Sequence, residues 1–168
     1  MHAVIAPAIE ELCAAFERHD YNPTPVIDIG VLVANADGTV DEQERALLSD
    51  VFQTLLETNL TPELVDALIR ASAEVIQAAG AEPRARLVGA ILHDCDAAEP
   101  GLRVALAIAF SSEGLSADER SIIDKIADAA DVSQEHLAEL VKEVEKHSEK
   151  GDPVSTRMSL LPEHLRSQ

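Results

Sequence analysis

Five acids in this chain have the type and spacing to hold a hard cation. Asp37, Asp41 and Glu44 lie in Asn35-Ala36-Asp37-Gly38-Thr39-Val40-Asp41-Glu42-Gln43-Glu44-Arg45. Glu113 and Glu119 lie in Ser112-Glu113-Gly114-Leu115-Ser116-Ala117-Asp118-Glu119-Arg120. Carboxylate oxygens suit Ca²⁺, Mg²⁺ and Mn²⁺ and can also ligate Zn²⁺. An acid–glycine turn sets one carboxylate just before a helix start. A glutamate on the first turn of that helix is then its neighbour. If the two turns face each other, Asp37, Glu44, Glu113 and Glu119 converge. Unbalanced, such a cluster raises carboxyl pKa values, and a divalent cation would relieve the strain.

The same acids have a purely structural use. Asp41-x-x-Glu44 and Ser116-x-x-Glu119 are both capping boxes, in which cap and glutamate satisfy each other's backbone N–H groups. Asp37-Gly38 is an ordinary turn pair. Capping accounts for Glu44 and Glu119. It does not account for the acid before glycine in both turns. A standard EF-hand loop is ruled out by ligand positions. With Gly38 at the sixth position the first is Val33, which cannot ligate, and in the second copy Arg120 falls where the bidentate glutamate belongs.

The elements that must position these acids repeat as well. Glu44-Arg45-x-Leu47-Leu48-x-x-Val51 matches Glu119-Arg120-x-Ile122-Ile123-x-x-Ile126 at an offset of 75, and the turns match at 76. The pattern reads as an internally duplicated helix–acidic turn–helix unit. Each turn follows an apolar segment, Val26 to Ala34 and Leu102 to Phe110. Helices without a polar face are central ones, so these two should be the most buried.

Around that pair the spacing predicts further helices. The first runs from Pro7 to His19. The second opens with Thr24 as cap and Pro25 at the first position, and continues to Ala36. The third runs from Asp41 to Thr58. The fourth opens at Thr61-Pro62, with Leu64, Val65, Leu68, Ile69, Val75 and Ile76 inward, and stops at Gly80. The fifth runs from Pro83 to Ala97 with Leu87, Val88, Ile91 and Leu92 inward. Pro100-Gly101 punctuates before the sixth, over Leu102 to Ser111. Ser116 and Ser133 cap the last two, and Leu137, Leu140, Val141 and Val144 face inward on the eighth. The fold class is all-α, a bundle of seven to eight helices, with no segment of strand alternation. Residues 1–150 form one domain. Residues 151–168 form a tail whose Met158, Leu160, Leu161 and Leu165 are expected to dock on it.

The chain has 168 residues, 46% apolar and only 2% aromatic, so its core is aliphatic. The net charge of −18 repels nucleic acid and anionic lipid and attracts cations and basic partners. No apolar run is long enough to cross a bilayer, and the sequence has no signal-peptide pattern. A cytoplasmic location is expected, without membrane insertion. Cys13 and Cys95 make no metal or redox motif. His93-Asp94-Cys95-Asp96 groups ligand types, but it lacks a second pair at zinc spacing and reads as a helix terminus. Nucleophile-elbow, phosphate-loop and zinc-protease signatures are missing.

At the acidic turns the chain resembles the tellurite-resistance TerB-like family. The pattern there is an apolar helix, then Ala-Asp-Gly-x-apolar-x-x-x-Glu, then an amphipathic helix, occurring twice. Ala36 through Glu44 matches in full, and the second copy substitutes Glu113 and is one residue shorter. The resemblance extends from about Pro25 to Val144. It implies a cytoplasmic all-helical domain whose clustered acids bind divalent metal. It also implies a role in tellurite or metal stress response alongside other stress-response proteins, and the −18 surface is expected to favour basic or membrane-anchored cytoplasmic ones. It implies no catalytic activity. The expected role is therefore a non-enzymatic, metal-responsive adaptor. Two alternatives stand beside it: a plain helical interaction module whose acids only cap, and a metal-dependent enzyme.

Overall fold

A computed structural model describes residues 2–22, 24–56, 58–112 and 114–149. Those residues form eight helices: α1 (His2–Arg18), α2 (Thr24–Ala34), α3 (Glu42–Leu55), α4 (Pro62–Ala79), α5 (Ala81–Asp94), α6 (Ala98–Ala109), α7 (Ala117–Ala129) and α8 (Gln134–Glu149). Among the described residues there is no strand, and the fold is all-α. None of these helices is long and apolar enough to cross a membrane. The tail 151–168 and Glu113 lie outside the described residues.

The two apolar helices form the centre. α2 and α6 pack on each other, α1 lies against α6, and α5 lies against α2 and α7. Every residue from Pro25 to Ala34 is buried, as are Pro100 to Ala109 except Arg103. Ala105, Ala107 and Ala109 are fully buried in α6. Gly89 lets α5 and α7 approach closely, since a Cβ there would stand 2.4 Å from the Ile126 carbonyl oxygen. The remaining core is aliphatic, with Phe16 and Phe52 as its two fully buried aromatic rings.

Helix ends follow local chemistry, with some corrections. α1 begins at His2, so Pro7 sits inside it rather than opening it. Pro7 lies in the second turn of α1, where it leaves the Ala3 carbonyl without its i→i−4 donor. Thr24 belongs to α2, and its N–H donates to Asn22 Oδ1 (2.9 Å). α3 stops at Leu55 and α5 at Asp94, both short of the expected ends. Pro100-Gly101 lies within the first turn of α6, where proline is compatible with a helix. Thr61 and Ser133 cap α4 and α8 as the sequence indicates. Gly80, at φ 90°, ends α4.

The His93-Asp94-Cys95-Asp96 cluster is a helix terminus. Cys95 is the buried C-cap, and Asp96 adopts φ 52° while the Ala97 N–H returns to the Leu92 carbonyl (2.8 Å). This six-to-one closure recurs after α1, where Asp20 has φ 52° and the Tyr21 N–H reaches the Phe16 carbonyl (2.8 Å).

Three residues assigned inward face solvent instead. Leu64, Val75 and Leu87 are 52%, 46% and 47% exposed. On α4 only Val65, Ser72 and Ile76 are buried. The apolar sector of α4 is wider than the face that α2, α3 and α5 cover.

Candidate functional site

The first acidic turn is built by Asp37 and Gly38. Gly38 takes φ 95°, a region open to glycine at little cost, and its N–H reaches the Asn35 carbonyl (3.1 Å). Asp37 Oδ1 accepts from the Thr39 N–H (3.0 Å) and hydroxyl (3.3 Å), closing the turn on itself. Asp41 then caps α3. Its Oδ1 accepts from the Glu44 N–H (2.8 Å), while Glu44 Oε2 accepts from the Asp41 N–H (2.9 Å). The second turn repeats this arrangement. Gly114 has φ 102°, Ser116 Oγ accepts from the Glu119 N–H (3.2 Å), and Glu119 Oε2 accepts from the Ser116 N–H (2.7 Å). Both capping boxes are formed.

The two glutamates are not surface acids. Glu44 and Glu119 are each only 5% exposed. Burial pushes the Glu44 carboxyl up to about 7, against an opposing hydrogen bond from the Asp41 backbone. The negative charges of Asp41, Glu119 and Asp37 raise it further. The fold thus brings Glu44 and Glu119 from two distant turns within electrostatic reach of each other. Asp37 and Asp41 are exposed at the edge of this cluster. Glu113, the fifth acid of the set, falls outside the described residues.

The arginines next in sequence do not neutralise the pair. Arg45 turns to Asp66 on α4 (2.6 Å), and Arg120 pairs with Asp124 on its own helix (2.9 Å). One oxygen of each capping glutamate is committed to a backbone N–H, which leaves the other for a proton or a cation. The donors are all oxygen, a set that fits Ca²⁺, Mg²⁺ or Mn²⁺ better than Zn²⁺. Among the described residues, no three His, Cys, Asp or Glu side chains stand together in an arrangement able to hold a metal ion.

The family model for the tellurite resistance protein TerB matches residues 23–142. The chain belongs to the TerB family. That match spans both acidic turns and α2 through most of α8. No curated protein and no solved structure matches the chain.

A second charged cluster escaped the sequence reading. Asp28 is the one acid of α2 and is 4% exposed. It accepts from Ser72 Oγ on α4 (2.7 Å) and from Arg84 on α5, through Nε (3.0 Å) and Nη2. A lone acid in an otherwise apolar helix was the available signal, because a buried carboxylate must have partners. Two clefts flank the bundle. One, of about 450 Å³, lies between Asn35 and the α4–α5 corner, with Arg70, Glu74 and Gln77 in its wall. The other, of about 410 Å³, is lined by Arg86, Arg120, Lys125 and Asp128. Neither contains Glu44 or Glu119.

Proposed function

We propose that this TerB-family chain is a non-enzymatic acidic adaptor that responds to divalent cations in tellurite or metal stress. The carrying observation is that Glu44 and Glu119 are both buried and that the negative charges of Asp41, Glu119 and Asp37 act on the Glu44 carboxyl. Such a cluster is relieved by a proton or by a hard cation. Asp37, Asp41, Glu44, Glu113 and Glu119 are the proposed ligands, spread over one or two weak sites. The positive ends of α3 and α7 oppose a cation. Affinity for Ca²⁺ is therefore on the order of 10⁻⁴ M or weaker. The surface charge of −18 favours basic partners, including membrane-anchored stress-response proteins on the cytoplasmic side.

The competing reading is a plain interaction module. The two complete capping boxes favour it, since they give Glu44 and Glu119 a sufficient structural role.

Thermal melting separates the two readings. A cation that binds only the folded chain must raise its melting temperature. Millimolar Ca²⁺, Mg²⁺ or Mn²⁺ should raise it in the wild type, Zn²⁺ less so. Glu44→Gln with Glu119→Gln, which keeps both capping boxes, should abolish the response. No response in the wild type, or an equal response in the variant, would hand the acids to capping alone.

A further inference from the structure

The large apolar side chains left exposed among the described residues are Tyr21, Leu56, Leu64, Val75 and Leu87. Tyr21 packs near Phe16, with ring centroids 6.1 Å apart. Leu64 and Val75 share one face of α4. Leu64, Ala67, Leu68, Ala71, Val75 and Ala78 follow the spacing by which one helix mates with another, and all but the half-buried Leu68 are exposed. This face lies beside Val65, Ser72 and Ile76, which the bundle already covers.

The face is complementary to itself. When a second α4 lies antiparallel on it, with Ala71 against Ala71 on a two-fold axis, Leu64 stands opposite Ala78 of the second copy. Ala67 stands opposite its Val75. Large side chains then meet small ones, as interdigitating helices require. A two-fold interface makes each such contact twice.

The charges beside the face follow the same register. Glu63, Arg70 and Glu74 are exposed along one edge of it, two turns and then one turn apart. Arg70 and Glu74 line one cleft with Gly80 and Ala81. Around the two-fold this edge meets its own counterpart. Arg70 comes opposite Glu74 of the second copy with an axial offset of only about 3 Å. Arg70 is left without an ion-pair partner among the described residues, and Asp66, on which its charge acts, is bonded to Arg45. Glu63 comes to the far end of the other α4. There α5 starts from Gly80 with no side-chain cap, and an acid is favoured at such a helix start. A second copy thus answers both acids and the base, whereas a uniformly basic helix would set its charge against Arg70.

We propose that the chain self-associates through α4, as an antiparallel two-fold dimer centred on Ala71. The occupant of the exposed face is a second copy of this chain. Association is weak, because each chain carries −18 and one helix face is smaller than the roughly 800 Å² per partner of a standard interface. Repulsion between two acidic bodies outweighs two exposed ion pairs, so salt strengthens the dimer. The acidic turns stand before α3 and α7, and this inference is independent of cation binding.

Sedimentation equilibrium of the full chain tests it, from about 10 µM to about 1 mM, the range of weak association. The apparent mass should rise from 18.0 kDa towards twice that value, and should rise further with added sodium chloride. Ala71→Glu sets two like charges on the axis. The position is exposed and glutamate is a good helix former, so the variant should keep its helical circular dichroism. It should weaken association by about tenfold or more. Arg70→Glu should also weaken it. Adding Glu74→Arg to that variant should restore association, whereas adding Glu10→Arg on α1, an equal change in net charge, should not. A mass of 18.0 kDa throughout would overturn the proposal and leave the face to a foreign partner. So would a dimer that Ala71→Glu leaves intact, or restoration by Glu10→Arg as complete as by Glu74→Arg, since either places the contact away from this register.

Discussion

Burial raises the carboxyl of Glu44 on α3 to about 7, and the charge of Glu119 on α7 adds to that rise, although each glutamate is locked into the capping box of its own helix. The two turns therefore share one electrostatic environment. Capping fixes where each carboxylate lies, and burial makes the Glu44 position costly for charge. This coupling links local structure to a property that a cation or a proton can change.

The first consequence is a pH dependence assigned to one residue. The Glu44 carboxyl titrates at about 7 in the folded chain, against 4.5 as the ordinary value. A raised carboxyl pKa means that the folded state holds the proton longer. Glu44 then costs nothing below pH 4.5, costs progressively more up to about 7, and costs its full amount above that. The gap amounts to at most about 3–4 kcal/mol. Glu44→Gln keeps the capping box and removes the titration. In chelator-treated buffer, urea unfolding should show the variant equal to wild type near pH 4.5. At pH 8 the variant should be more stable by about 1–3 kcal/mol. A difference independent of pH would mean that the glutamate is solvated and its burial inconsequential.

Local features were legible in the sequence, and relations between elements were legible only in part. Asp41, Glu44, Ser116 and Glu119 read correctly as capping boxes because a cap is decided within four residues. The burial of α2 and α6 was legible because neither offers a polar stripe for solvent. Leu64, Val75 and Leu87 were misplaced for a physical reason. Helical periodicity gives the width of an apolar sector but not which part of it a neighbour covers. Asp28 was passed over because its partners Ser72 and Arg84 lie 44 and 56 residues away.

That buried cluster carries a stability prediction. Asp28 joins α2 to α4 through Ser72 and to α5 through Arg84, whose side chain is 25% exposed. Asp28→Ala leaves a cation and a hydroxyl without their acceptor. The loss should be about 2–4 kcal/mol, below the extreme for a fully dry pair because Arg84 retains some water. Replacing both ends, Asp28→Leu with Arg84→Met, should recover most of it, to within about 1 kcal/mol of wild type. Urea midpoints at unchanged m-value measure both. A double variant as unstable as Asp28→Ala would mean that the ion pair contributes favourably in its own right.

The last prediction separates the two uses of Asp41. Its Oδ1 caps α3 through the Glu44 N–H, and its charge adds to the field on Glu44. Asparagine caps a helix as well as aspartate does, through the same side-chain oxygen. Asp41→Asn should therefore leave metal-free stability at pH 7 unchanged or slightly raised, because one repulsive charge is gone. Its rise in melting temperature with Ca²⁺ should fall by at least half if Asp41 contributes to a cation site. Ser116→Ala is the opposite variant. It removes the cap of α7 without touching a carboxylate, and should cost about 1 kcal/mol while the response to Ca²⁺ persists. Differential scanning calorimetry of the two variants, with and without Ca²⁺, reads both effects. If Asp41→Asn responds to Ca²⁺ like wild type, Asp41 is a cap alone, and any cation site rests on the remaining carboxylates.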